Sequence, residues 1–232
     1  MTVHYEGLSA PYRAIATPVA QPAPLPEAER DSFYARRGKR MLDIALVLAS
    51  VPLLVPLMLL IAAAVMIDGG RPFFAQTRVG RHGRAYQMWK FRTMRPDAER
   101  ELSELLAADP AARREWDERQ KLKHDPRVTR FGALLRKTSL DELPQLWNVL
   151  RGDMSLVGPR PMLPSQQPIY PGLAYYALRP GLTGPWQVSE RNQTSFAARA
   201  RFDDLYHARL SLGTDIRLLL ATLRVVVRGT GC

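Results

Sequence analysis

Apolar and polar positions along this chain fall into stretches with different periods. Residues 1–34 show none. Prolines in "ATPVAQPAPLPEAE" remove backbone donors and disfavour helix before them, which predicts a disordered tail. Residues 44–67, "IALVLASVPLLVPLMLLIAAAVMI", are apolar all round, with Ser50 the only polar side chain. The run is long enough to span hydrocarbon, and soluble core helices rarely stay apolar on every face for so long. Residues 35–70 therefore read as a membrane-inserted segment. Two strand-like runs, 72–78 and 84–92, flank "VGRHG" and predict a β-hairpin. Residues 97–123 read as two solvated helices split at Asp109-Pro110, with Asp109 as cap. In 124–150, Leu140, Leu143, Leu146, Trp147 and Leu150 recur at helical spacing behind Ser139, a candidate cap. A polar, Gly/Pro-rich loop covers 178–196. In 215–229, Arg217, Arg224 and Arg228 share one face of an apolar helix, which fits an interfacial helix or a core helix.

Charge sharpens the membrane reading. "RRGKR" at 36–40 precedes the apolar run, and Arg71, Arg78, Arg81 and Arg84 follow it. Basic residues near both ends mark both ends as cytoplasmic, which one crossing does not satisfy. Pro52 and Pro56 lie mid-segment, four apart, and are the expected membrane break. A re-entrant hairpin is favoured over a kinked span, with Asp43 expected to pair with Lys39 or Arg40 at the interface. The expected fold is α+β and mostly helical. The re-entrant membrane helix-hairpin is followed by a small cytoplasmic domain, 71–232, holding the β-hairpin and interfacial amphipathic helices.

The chain carries 33 Lys+Arg against 22 Asp+Glu, a net charge of +11. Such a balance points to polyanions: anionic lipid, phosphorylated substrates or nucleic acid. Aromatic residues are not interleaved with the basic ones as stacking platforms, which argues against nucleic acid. The single cysteine, Cys232, excludes an internal disulfide framework and a Cys-based zinc site.

Against this basic background stands "TSLDELPQLWNVLRGDMSLVGPRP" (138–161), with adjacent acids Asp141 and Glu142. By spacing alone, such a pair is more often capping and surface charge. The chemical alternative has one carboxylate as nucleophile or base while the other binds a metal. Arg127, Arg130, Arg136 and Arg160 are near in sequence, and guanidinium forks match phosphate oxygens. An anion attacking an anionic phosphate calls for a divalent cation, and Mg²⁺ with one or two carboxylates plus phosphate oxygens is the usual arrangement. No Walker loop, HExxH, GxSxG or GxGxxG stands in the needed context. Two rivals remain on residues alone: a non-catalytic binder of anionic lipid, and a membrane phosphatase.

The stretches "KRMLDIALVLASVPLLVPL", "GGRPFFAQTRVGRHGRAYQMWKFRTM", "DPRVTRFGALLRKTSLDELPQLWNVLRGDMSLVGPRP" and "RPGLTGPWQVSERN" together resemble the bacterial sugar transferase family, the monotopic polyprenyl-phosphate phosphoglycosyl transferases. The likeness is greatest to short exopolysaccharide-initiating undecaprenyl-phosphate galactose/glucose phosphotransferases. The resemblance implies that Asp141 attacks a UDP-sugar and releases UMP. The sugar phosphate then passes to undecaprenyl phosphate at the cytoplasmic face of the inner membrane. It implies Glu142, with Asp141, as the Mg²⁺-linked acid, and Arg136 and Arg160 as active-site cations. Lys90, Arg92 and Arg127 complete the expected phosphate- and substrate-binding set. Two departures from the family pattern are Val55 before Pro56, where many relatives carry Ser, and Glu190 after Ser189, where relatives often carry Gly.

Overall fold

The computed structural model describes residues 32–67, 70–119, 122–123, 125–189 and 196–227. Most of the expected tail, together with Glu190, Arg228 and Cys232, lies outside the described residues.

The apolar run forms one helix, α1 (Lys39–Ile67), entered through a π-helical turn at Tyr34–Gly38. The expected division into two helices at Pro52 and Pro56 does not occur: both prolines sit inside an unbroken helix. A proline deletes one backbone donor and crowds the preceding turn, which bends a helix more readily than it ends one. Ser50 donates its hydroxyl to the Val47 carbonyl (2.7 Å), a back-bond that also favours bending.

The middle of α1 is bare, with Leu53 at 74% and Leu60 at 70% exposure. Its ends are not. Val47 belongs to one core cluster with Met88, Val149, Met154, Leu156, Val157, Leu178 and Tyr206. Ile61 and Val65 belong to another with Phe91 and Leu135. Both ends of the apolar helix thus pack on the same globular body.

Polar pins hold the N-terminal end. Asp43 is buried and accepts from the Leu156 N–H (3.0 Å), not from Lys39 or Arg40 as the sequence suggested. Arg40 instead donates to the carbonyls of Val149 and Leu150 in the last turn of helix α5 (Gln145–Arg151), where the Val149 carbonyl also accepts from Gly152 N–H (3.0 Å). Lys39 pairs with Asp215 (2.7 Å), which also accepts from the hydroxyls of Tyr34 and Tyr206 (2.6 Å each). Asp215 sits on α9 (Leu212–Val227), so one buried carboxylate ties the chain's first and last described helices.

The β-hairpin forms as expected: β1 (Phe73–Val79) pairs antiparallel with β2 (Ala85–Phe91), in register from Phe73↔Phe91 to Val79↔Ala85. The buried Asn148 side chain completes the other edge of β2. It accepts from Trp89 N–H (3.0 Å) and donates to the Gln87 carbonyl (2.7 Å), standing in for a strand. Helices α2 (Ala98–Ala108) and α3 (Pro110–Arg119) divide at Asp109, whose carboxylate caps Ala111 N–H (2.7 Å) and Ala112 N–H (3.2 Å). Helix α4 (Arg130–Thr138) starts on a Thr129 cap.

A second sheet pairs β3 (Ser155–Val157) in parallel with β4 (Gly181–Thr183). Gly158 and Gly181 press backbone to backbone; a Cβ on either would fall within the other loop's main chain. This interlocks "VGPRP" and "RPGLT" in one structure. Helices α6 (Ala174–Ala177), α7 (Pro185–Ser189) and α8 (Arg199–Ala208) lie between β3 and α9 in the chain. Helix α9 buries Asp215 and leaves Leu212, Ile216, Leu220 and Leu223 exposed beside Arg217 and Arg224. An apolar stripe beside arginines suits a membrane interface better than a core.

Candidate active site

The Asp-Glu pair does not begin a regular helix. Ser139 takes a left-handed conformation (φ 58°, ψ 16°), ends α4 and makes no side-chain cap. The expected Ser139 cap is therefore replaced by a backbone reversal. It leads into a single 3₁₀ turn, Leu140–Glu142, and α5 starts only at Gln145. The expected leucine stripe splits accordingly. Leu140 and Leu143 pack in the cluster with Ile61 and Val65, Leu146 and Leu150 in the other, and Trp147 is exposed. The reversal lets α4 and α5 pack on different parts of the body, with the two acids at the corner.

Both acids face one cation. Lys90, on β2, lies 2.7 Å from Glu142 Oε1 and 3.7 Å from Asp141 Oδ2. Asp141 is the more buried of the two. Burial pushes its carboxyl above the ordinary carboxylate range, Lys90 works against that rise, and Glu142 adds to it. A carboxylate short of water and beside another anion is a stronger base and nucleophile than a solvated one.

An open cleft adjoins the turn. Its walls include Arg78, Lys90, Glu142, Gln145, Arg160 and Gln187. Lys90, Glu142 and Arg160 were expected there. Arg136 is half-buried, donates from Nε to Thr93 Oγ1 (2.8 Å) and acts electrostatically on Asp141 from behind the turn. Arg92 and Arg127 are not among the cleft-lining residues. Arg92 donates to the Val65 carbonyl (3.1 Å) at the end of α1. Arg127, 6% exposed, is paired with Asp125 (2.6 Å) and stacked over Trp116 (5.5 Å). Sequence proximity located basic residues, not their partners; "DPR" was the signal that Arg127 had an acid two residues away.

Sequence reasoning left out Arg78 and Gln145. Arg78 was read only as part of a basic hairpin, although the strand period puts it on the same face as Gln76, which accepts its guanidinium (2.6 Å). Gln145 lies four residues after Asp141 in "DELPQ", a spacing that keeps side chains on one side of a turn.

Among the described residues no third His, Cys, Asp or Glu joins the pair to form a metal cluster. Two adjacent carboxylates, with Glu142 in the wall of an open cleft, suit Mg²⁺, which takes one or two carboxylates and draws its other ligands from water and phosphate. The donor set fits that ion.

The sequence model for bacterial sugar transferases matches residues 34–229. The chain is 48% identical over 195 residues to a UDP-galactose-lipid carrier transferase of Erwinia amylovora, covering 83% of this chain and 41% of that protein. It is 46% identical over 206 residues to an undecaprenyl-phosphate galactose phosphotransferase of Salmonella typhimurium, covering 88% and 43%. It is 43% identical over 197 residues to the exopolysaccharide production protein ExoY of Sinorhizobium fredii, covering 84% and 87%. The chain thus spans about two fifths of the first two relatives and most of the third.

Proposed function

The chain belongs to the bacterial sugar transferase family, and on that premise we propose that it moves a sugar phosphate from a UDP-sugar to undecaprenyl phosphate, an early membrane step of exopolysaccharide synthesis. One observation carries the reading: a buried, desolvated Asp141 with a raised pKa, sharing Lys90 with Glu142, where Lys90 and Glu142 both line a cation-rich cleft.

In the first step a carboxylate oxygen of Asp141 attacks the phosphorus that bears the sugar. An Asp141–phosphorus bond forms, the bond to the bridging oxygen breaks, and UMP leaves with that electron pair. In the second step a phosphate oxygen of the lipid attacks the same phosphorus, and the Asp141 carboxylate is returned. Lys90 keeps the nucleophile ionised and screens it from Glu142, while Arg160 meets the phosphate oxygens. Asp141 and Glu142 would hold Mg²⁺, which supplies charge neutralisation to the phosphates when bound.

The membrane arrangement follows the same logic. Only 11% of the most apolar window of the Tyr34–Ile67 helix is buried, too little for a core helix. A perpendicular crossing would place its two ends about 30 Å apart on opposite sides of the bilayer. Packing of Val47 and of Ile61 and Val65 on one body supports a re-entrant helix, both ends on the cytoplasmic face. Arg217 and Arg224 on α9 suit anionic headgroups.

The test is intact mass spectrometry of detergent-solubilised full-length protein mixed with UDP-sugars and no lipid. A sugar-phosphate adduct that disappears in Asp141→Asn and is discharged by undecaprenyl phosphate is the expected result. Full-speed transfer with no adduct would sink the covalent route, and EDTA-insensitive transfer would sink the Mg²⁺ assignment.

A further inference from the structure

The cleft holds more hydrogen-bond donors than the described residues use. Gln145 is 2% exposed and lines the cleft, yet its amide nitrogen Nε2 has no hydrogen-bond partner. Arg78, also in the wall, spends one guanidinium nitrogen on Gln76 and another on the Pro161 carbonyl (3.3 Å), while its buried Nε has none. Arg160 stands beside it, and the two guanidiniums are close enough that Arg160, after burial, lowers the Arg78 pKa. Arg199 stacks behind on Trp186 (4.1 Å) and Phe196 (4.8 Å), and its pKa falls to about 10, by burial first and then by Arg160. Buried donors without partners destabilise a fold, and so does gathering like charges. Asp203, on α8, acts on Arg199; Glu142 acts on Arg78 but is already bound to Lys90.

These are the features of a site whose acceptor arrives with the ligand. We propose that Arg78 and Gln145, together with Arg160, form a cradle for a phosphate group. Gln145 Nε2, from the turn of chain that follows Asp141, and Arg78 Nε, from β1, donate to its oxygens. A phosphate supplies several acceptor lone pairs and negative charge at once, which a neutral hydroxyl ligand does not. The proposal rests on the phosphoglycosyl transfer reading and adds two residues and their role to it. Two ligands carry the required chemistry, the nucleotide and the lipid phosphate.

The test uses full-length protein in detergent with Gln145→Leu and Arg78→Lys. Removing a buried donor that lacks a partner in the free protein should leave the melting temperature of Gln145→Leu unchanged or raised, whereas a structural glutamine would lower it. The same variant should bind UMP at least tenfold more weakly in calorimetry, and adduct formation from UDP-sugar should slow by a similar factor. If UMP binding is unchanged but the KM for undecaprenyl phosphate rises tenfold, the cradle holds the lipid phosphate. Wild-type UMP affinity and acceptor KM in both variants would overturn the proposal, as would destabilised Gln145→Leu with normal phosphate binding. Absence of an adduct in the wild type reports on the covalent route alone, because UMP binding is read without it.

Discussion

The two ends of α1 and the cleft use polar groups in opposite ways. At the helix ends nearly every polar group is spoken for: Asp43 by Leu156, Arg40 by two α5 carbonyls, Lys39 by Asp215. In the cleft, Gln145 Nε2 and Arg78 Nε are buried with nothing to bind, and two acids share one lysine. The first region is finished without a ligand; the second is not. A saturated polar network fixes geometry, whereas an unsaturated one in an open cleft keeps binding capacity for something that is not protein.

The comparison breaks most sharply at Asp141. Asp141→Asn keeps the shape and removes the nucleophile, so turnover should fall by roughly a thousandfold or more while the melting temperature holds or rises. A variant retaining more than a tenth of wild-type turnover would refute Asp141 as the nucleophile. Next comes Lys90→Met, which should cost about 10–100-fold in rate. It should also move the acidic limb of the pH–rate profile upward. The sign follows from Asp141: its folded pKa is already raised, protonation as pH falls stops attack, and Lys90 is the cation that restrains the rise. Glu142→Gln removes an anion that raises that pKa, so its limb should move down; movement of both limbs in one direction would refute the assignment.

On the saturated side, Arg40→Ala strands the Leu150 carbonyl and takes one of two donors from that of Val149, and should cost about 1–3 kcal/mol in unfolding free energy with near-normal kinetics in the surviving folded protein. Calorimetric unfolding checks this, and a rate defect larger than the stability defect would blur the contrast. Smallest is Leu220→Asn on the exposed stripe of α9. It should weaken partitioning into anionic vesicles a few-fold and leave adduct formation in detergent intact. Unchanged vesicle partitioning would argue that the stripe meets something other than lipid.

Much of this was legible in the chain. The role expected of Asp141 and Glu142 rested on a family resemblance, whereas the hairpin followed from a period of two around "VGRHG" and the α2–α3 break from Asp109-Pro110. Local chemistry decides the hairpin and the break. Other features depend on partners far away in sequence. Nothing near Asp43 reveals that its acceptor would be used by Leu156, and nothing near Asp215 announces Tyr34, Lys39 and Tyr206. Ser139 looked like a cap because serine before acids usually is one; here the reversal demanded by packing α4 and α5 apart overrode that preference. The prolines of α1 were read as a break because their local cost is certain, while tolerance of a bend depends on contacts at the two ends.

The tail of β2 alternates in what it grips. Lys90 reaches the carboxylate pair, Phe91 packs on Ile61 and Val65, and Arg92 holds the Val65 carbonyl. Three consecutive residues therefore tie the Asp141–Glu142 turn to the end of the apolar helix, like a gauge block between the two. On the proposed transfer reading, that spacing would let a carrier lipid react with its phosphate at headgroup depth, and lengthening α1 by one turn should slow transfer.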